Sequence, residues 1–456
     1  MELKETQRGI WSSKIGFILA AAGSAVGLGN IWRFPTVAGR SGGAAFVVLY
    51  LFCVVIVGLP VMIAELSIGR HTRKNPVGAF EKLAPHSGWK YLGVLGIVTG
   101  IAILSFYAVI AGWIIGYFFK AVGGEFQRIS TAAESEMIFT GFARNPFYQM
   151  LLLGIFILLT SLVIWRGVKG GIEKWSKILM PILIVILISL VIRSVTLPGS
   201  SKGLAFYLKP DFSKMNFKIL LEALGQALFS LSLGMGTMIT YGSYIQKRDN
   251  LSTSALYVCI FDTAIAILAG FMIFPALFAM GMKPDIGPSL IFQVIPAMLA
   301  RMPGGYFFGI GVFLLIAIAA LTSTISLLEV PVAYVVDEKG WSRSKAVTVM
   351  GSIAFIFGIF SALSNGALEF LTKLPAINTS FLNVMDTAFS KFSLAIGSLL
   401  ESLFLGWIWG TAKAIEEIEG EGVIFKYKKV WIPFIKVITP LLILIIFGDL
   451  LRRTFF

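Results

Sequence analysis

The sequence predicts an all-α membrane protein: eleven transmembrane helices, built as a 5+5 inverted repeat in which helices 1 and 6 are broken. Three observations carry this. Of the 456 residues, 57% are hydrophobic and 14% charged. Apolar runs recur along the chain, each close to the ~20 residues that cross a ~30 Å hydrocarbon core. Two of these runs are interrupted by glycine-rich stretches at matching places, GSAVGLGN (Gly23 to Asn30) and SLSLGMG (Ser230 to Gly236). Only helices and closed barrels satisfy every backbone polar group in lipid. Barrel strands read as ~10-residue alternating segments, and none of these runs alternates.

The first repeat, about 15–196, holds helices near 15–38, 43–68, 91–119, 147–165 and 176–196. The second, about 218–410, holds helices near 218–244, 253–281, 306–336, 346–363 and 380–410. An accessory eleventh helix follows near 431–450, so residues 1–456 form a single transmembrane domain. Five is odd, so the second repeat enters from the opposite face and the repeat is inverted. Two connections are long enough for local structure, 69–90 and 282–305. The second places Pro284, Pro288, Pro296 and Pro303 around SLIFQVIPAMLA and reads as a short re-entrant or lid hairpin. Gly170 and Gly171 open the fifth helix and Pro181 follows, a pattern expected to weaken its first turns.

The net charge is +14, but the basic residues sit in short loops rather than in one domain, which argues against a nucleic-acid partner. Lys4, Arg8 and Lys14 precede the first span; Arg70, Arg73 and Lys74 follow the second; Arg166, Lys169 and Lys174 follow the fourth. Lys247 and Arg248, then Lys339, Arg343 and Lys345, then Lys413 and Lys426 to Lys429 continue the series on the same side. That side is expected to be cytoplasmic. The amino terminus then lies inside and the carboxyl terminus outside a cytoplasmic (plasma) membrane, with lipid around the chain. Lys202 to Lys218, Arg452 and Arg453 weaken the bias. No cleavable signal peptide is visible. Cys53 and Cys259 fall inside apolar spans and read as buried thiols.

Glycine is roughly 1 kcal/mol worse than alanine in a helix. Several within eight residues, beside Ser and Asn, predict a helix that stops and restarts. The amides and carbonyls so freed need partners in lipid. Broken helices at corresponding positions of two halves mark the binding site of a secondary transporter.

Ionisable residues within the membrane are functional candidates. Arg33 follows the first break; Asp262 lies in the seventh helix; Asp386 and Glu401 flank the tenth. Glu65, Glu329 and Glu401 are read as carboxylates capping amides freed at a break. In the eighth helix Thr322 and Ser323 are adjacent, in ALTSTIS. With carbonyls freed at Gly23 and Val26 they would form an all-oxygen cage of the kind a small hard cation takes. Asn30, Ser230 and Asp262 would supply a second.

WSSKIGFILAAAGSAVGLGNIWRFP, GQALFSLSLGMGTMITYGSY and ALTSTIS resemble motifs of the neurotransmitter:sodium symporters, in particular short bacterial and archaeal amino-acid transporters similar to the bacterial leucine transporter. The resemblance runs over nearly the whole chain. It implies two sodium sites. One uses the Ala25 carbonyl, Asn30, Ser230, Asp262 and the substrate carboxylate. The other uses carbonyls of Gly23, Val26 and Ala319 with hydroxyls of Thr322 and Ser323. Backbone groups of Ala25, Gly27, Leu28 and Gly29, with Tyr107, would take the substrate carboxylate at the positive end of a half-helix. Carbonyls near Phe229 and Ser232 would take its ammonium. Ile103, Tyr107, Phe229, Ser230, Ser232, Met235, Ser323 and Leu327 would line the pocket. Arg33 and Asp386 would gate the outer side under a Phe229 lid, and Arg8, Trp11, Ser243, Tyr244 and Asp337 the inner side.

Two departures bear on chloride. The family's usual asparagine in the seventh helix is Asp262 here, and a serine of chloride-binding members is Ala266. Tyr50, Gln226 and Ser230 match other chloride ligands. A fixed carboxylate would stand in for the anion, so chloride is not expected to be required.

The function these features imply is sodium-coupled import of amino acids, hydrophobic or aromatic L-amino acids given the apolar pocket and adaptable Met235. A same-fold carrier driven by protons, or of a different small amine or amino acid, is the alternative, since Asp262 could titrate. An enzyme is not expected: His71 and His86 lie together in one loop, with no Cys/His ligand spacing. A channel would need rings of filter residues from several subunits.

Overall fold

The computed structural model describes residues 9–284, 290–375 and 377–455. Among them every regular element is helical. In chain order the main elements are α1 (Lys14–Ala25), α2 (Gly29–Arg40), α3 (Ala44–Thr72), α4 (Pro76–Leu83), α5 (Lys90–Val122), α6 (Pro146–Trp165) and α7 (Val168–Val195). They continue with α8 (Phe217–Ser230), α9 (Thr237–Gly242), α10 (Leu251–Ala279), α11 (Val294–Arg301), α12 (Gly305–Lys339), α13 (Arg343–Leu363), α14 (Phe381–Ile418) and α15 (Lys428–Thr454).

Local chemistry sets many helix starts. Side-chain oxygens of Ser13, Asn75, Asn145, Asn216, Asn250, Ser342 and Ser380 each accept from an amide of the first turn. Each such cap satisfies an otherwise orphaned donor and stabilises the helix by about 1 kcal/mol.

Nine described helices are long and apolar enough to cross a membrane, and ten if α1 and α2, bent by 52°, count as one span. The expected eleven is not reached by length and composition. The predicted sixth span, 218–244, is divided into helices of 14 and 6 residues, and neither suffices alone. Its connection turns through left-handed residues Ser232 (φ 55°), Gly234 (φ 79°) and Gly236 (φ 72°). A side chain on Gly234 would also strike the Leu394 carbonyl at 2.4 Å.

α5 and α12 form the centre. Their most apolar stretches are 78% and 72% buried, against 28% for the peripheral α7. They pack along each other, with α1 against α7, α10 and α12. Both predicted breaks therefore face the middle of the bundle.

α7 begins eight residues before the predicted 176, as a wide π-turn over Val168–Glu173 that runs directly into Lys174–Val195. The glycine pair is accommodated by widening the turn. The connection 282–305, expected to form a short re-entrant or lid hairpin, is described only in part. Residues 285–289, including Pro288, lie outside the described part. The remainder includes the short helix α11, with Ile295, Met298 and Leu299 buried against α12. The Phe292 carbonyl accepts from Tyr117 (3.1 Å) and the Gln293 carbonyl from Ser135 (2.6 Å), which fix it over the end of α5. Cys53 and Cys259 are buried thiols.

Candidate ion and substrate site between the broken helices

The first break runs from Ala25 to Gly29. Val26 is extended (φ −72°, ψ 106°), so its carbonyl leaves the helical ladder. The second break faces it. A cavity of about 30 Å³ lies between them, lined by Ser24, Ala25, Gly27, Gly29, Ile103, Tyr107, Phe229, Ser232, Met235, Ser323, Leu327 and Leu394. The breaks thus gather every side chain expected to line the pocket except Ser230, which faces Asp262 instead. Ser24 and Leu394 were not expected there.

One end of the cavity is polar. The Leu28 amide donates to the Tyr107 hydroxyl at 2.9 Å. A Cβ on Gly27 would lie 2.3 Å from Ser323 Oγ and 2.6 Å from the Tyr107 hydroxyl oxygen, so only glycine fits. On Gly29 it would meet the Phe229 ring at 3.1 Å. The Ser24 carbonyl accepts from Ser232 Oγ and from Ser323 Oγ, each at 3.1 Å. The first bond helps hold Ser232 left-handed, which costs a non-glycine residue roughly 1–2 kcal/mol.

Asn30, Ser230 and Asp262 converge as a buried cluster. Asp262 Oδ1 accepts from Asn30 Nδ2 at 2.6 Å, and both carboxylate oxygens lie 2.9 Å from Ser230 Oγ. The Tyr50 hydroxyl donates to Oδ2 at 3.2 Å. Asn30 Oδ1 accepts from the Gly27 amide at 3.0 Å, which clamps the break. Gln226 Nε2 donates to the Gly29 carbonyl at 2.8 Å, while its Oε1 is buried without a partner among the described residues. Asp262 and the Ser230 hydroxyl are oxygen donors of the kind a hard cation takes, while Asn30 turns its Nδ2 to both, at 2.6 and 3.0 Å, and its Oδ1 to the break.

A second oxygen group lies beyond the cavity. Thr322 Oγ1 is 3.0 Å from the Ala319 carbonyl and 3.5 Å from that of Val26; Ser323 Oγ is 3.3 Å from Val26. Oxygens about 2.4 Å from one shared hard cation sit at such mutual spacings. Gly23 packs against this group, since a Cβ there would touch Thr322 Cβ and Met180 Sδ, each at 3.3 Å. Among the described residues no three His, Cys, Asp or Glu cluster as a metal site. A cation here would rely on carbonyls and hydroxyls.

The two ends of the path differ. At one end a cavity of about 240 Å³ is lined by Arg33, Trp32, Phe106, Tyr107, Phe229 and Asp386 among others. Arg33 and Asp386, expected to gate this end, both line this cavity and do not pair with each other. The Arg33 guanidinium sits 4.4 Å over the Phe229 ring, and Asp386 meets Lys391 at 3.7 Å. Residues Asp386–Ser393 are π-helical, which brings the position five residues on over Asp386.

The other end is sealed around Trp11, which is 1% exposed. Its indole donates to the Tyr241 carbonyl and its amide to that of Tyr244, both at 3.1 Å. Tyr244 donates to Glu329 at 2.8 Å, and Glu329 pairs with Arg343 at 2.6 Å. Glu329 is thus committed to a side-chain network, whereas Glu65 does take a freed amide, that of Gly234 at 2.8 Å. Glu401 Oε2 has no partner among the described residues. The Ser243 carbonyl accepts from Arg73 at 3.3 Å, and Asp337 from the amide and side chain of Asn75 at 3.2 Å each. Arg8 lies outside the described residues. Sequence reasoning missed Glu173, which accepts from the Ser12 amide at 2.7 Å and ties the segment before α1 to α7.

A polar cleft between two discontinuous helices, open toward one end and sealed at the other, defines a helical membrane transporter. The family described as the sodium:neurotransmitter symporter family matches residues 8–135 and 124–453, and the chain belongs to it. It is therefore a multi-pass, sodium-dependent transporter and not an enzyme. The uncharacterized sodium-dependent transporter YhdH of Bacillus subtilis is 38% identical, with 97% of each chain covered. The sodium-dependent serotonin transporter of Drosophila melanogaster is 28% identical over 92% of this chain and 72% of its own. The crystal structure of MhsT in complex with L-phenylalanine superposes with a TM-score of 0.88 at 44% identity, covering 97% of this chain and 100% of that one.

Proposed function

We propose that the protein is a sodium-coupled symporter that imports hydrophobic or aromatic L-amino acids by alternating access. The observation that carries this is the chemistry of the cavity's lining, since its volume of about 30 Å³ must widen to admit such a side chain. The cavity has Tyr107 and the glycine-rich turn at one side, the Ser24 carbonyl behind, and apolar walls of Ile103, Phe229, Met235 and Leu327. The half-helix amino terminus suits a carboxylate, the carbonyls near Phe229 and Ser232 an ammonium, and the walls an apolar side chain. MhsT, solved with L-phenylalanine, supports the substrate class.

Two sodium ions are assigned, one to Asn30, Ser230, Asp262 and the Ala25 carbonyl, the other to Gly23, Val26, Ala319, Thr322 and Ser323. Asp262 supplies the negative charge beside the first, so chloride is not required. The sealed Trp11 end is read as cytoplasmic, with the amino terminus inside and the carboxyl terminus outside. Arg33, Phe229 and Asp386 then close the outer side once substrate binds.

Reconstituted protein offered a panel of radiolabelled amino acids, with and without sodium, tests the reading. Sodium-dependent uptake of apolar or aromatic amino acids is expected; equally tight binding without sodium would overturn it. Proton-driven coupling is the second reading, favoured by the buried Asp262 carboxylate. Uptake that follows a proton gradient in sodium-free buffer would select it.

A further inference from the structure

A cavity of about 420 Å³ lies on the bundle's outer surface, between α6 and α13 and away from the transport path. Its walls include Ile157, Trp165 and Phe355, and its floor includes Gly154, Ser161 and Gly351. The floor is low because the helices touch there: a Cβ on Gly351 would lie 3.0 Å from Ser161 Oγ. From Gly154 to Trp165 the groove runs roughly 16 Å at the rise of an α-helix. That is about half of a ~30 Å hydrocarbon core, the depth of one leaflet.

The two ends of the groove differ chemically. At the Gly154 and Phe355 end it is apolar. At the Trp165 and Ser344 end the adjoining residues are Arg166 and Lys345, both exposed, and Lys169 follows. Arg343 at this mouth is already engaged, by the Ile164 carbonyl at 2.7 Å and by Glu329 at 2.6 Å. Lys345 lies 4.5 Å over the Trp341 ring, and Trp165 is 58% exposed at the rim. An aromatic at the rim, cations beside it and an apolar channel one leaflet deep match the headgroup, interface and acyl chain of a lipid.

We propose that this groove binds an anionic phospholipid, with one acyl chain between α6 and α13 and the phosphate at Arg166 and Lys345. The mouth is one residue from Arg343, so the lipid sits beside the Arg343–Glu329–Tyr244 chain that secures the Trp11 end.

The test uses full-length protein in phosphatidylcholine nanodiscs doped with brominated phosphatidylglycerol or brominated phosphatidylcholine. The fluorescence difference between wild type and Trp165→Phe isolates quenching at the rim. Brominated phosphatidylglycerol should half-quench Trp165 at a concentration on the order of tenfold lower, as two basic residues near an anionic headgroup would give. The double variant Arg166→Gln with Lys345→Gln should erase that preference. Ser352→Phe, which fills the groove from its exposed side, should weaken quenching by both lipids. Equal quenching of the wild type by both lipids would reduce the groove to ordinary annular contact and overturn the proposal. Cross-linking of a Ser352→Cys variant to a second copy in native membranes would put a protein helix there, and overturn it equally.

Discussion

The amide of Leu28 donates to the hydroxyl of Tyr107 at 2.9 Å, which ties the first broken helix to the centre of α5. The bond occupies an acceptor position of the phenol and leaves its proton available to donate. Tyr107 thereby presents its hydroxyl to the cavity beside Gly27, where a Cβ would lie 2.6 Å from it.

Replacing this phenol should separate substrate from ion. Tyr107→Phe keeps the ring and removes the donor. A hydrogen bond to a charged group contributes about 1.5–3 kcal/mol, so substrate affinity should fall roughly tenfold to a hundredfold. Sodium binding without substrate should be nearly unchanged. A scintillation proximity assay measures both, and equal losses would remove Tyr107 from direct contact with substrate.

Thr322→Val keeps the shape of the side chain and deletes one oxygen of the cage near Val26 and Ala319. The sodium concentration for half-maximal substrate binding should rise about fivefold or more, for a loss of about 1 kcal/mol. Thermal stability in potassium should change little. An unaltered sodium curve would show that no ion uses this hydroxyl.

Gly27→Ala should abolish substrate binding, because its Cβ would lie 2.3 Å from Ser323 Oγ. Adding Ser323→Ala removes that atom but leaves the Tyr107 hydroxyl at 2.6 Å. The double variant should therefore recover part of the binding measured by isothermal titration. A double variant no better than Gly27→Ala would locate the damage away from Ser323, at the Tyr107 contact or in the backbone.

Transport by the wild type should survive replacement of chloride by gluconate. Asp262→Asn with Ala266→Ser removes the fixed charge and supplies a hydroxyl, and should make uptake chloride-dependent. Wild-type uptake that collapses in gluconate would end the argument that Asp262 stands in for an anion.

Much of this site is legible in the sequence because its signals are side chains or glycines. The runs from Gly23 and from Ser230 mark the breaks, and the adjacent Thr322 and Ser323 mark an oxygen group. Ser24 is not legible because its contribution is a carbonyl, which no residue type advertises. Leu394 is one leucine in an apolar run. Arg33 and Asp386 line the outer cavity but do not pair with each other in this structure, for a geometric reason. A π-turn brings Lys391 over Asp386, and sequence spacing read at 3.6 residues per turn does not foresee it. The span count falls short because the second break leaves only six residues beyond it.

The carbonyl of Ser24 receives hydroxyls from Ser232 and Ser323, so members of both repeats meet on one backbone atom. The acceptor itself survives any substitution at position 24. Exchange of that side chain over evolution, or a systematic alanine scan, leaves the meeting point in place. Its weight would emerge only from chemistry applied to the main chain, such as replacing the Ala25 amide with an ester to weaken the carbonyl before it. A contact made by the main chain is in this way the part of the site that mutation records least.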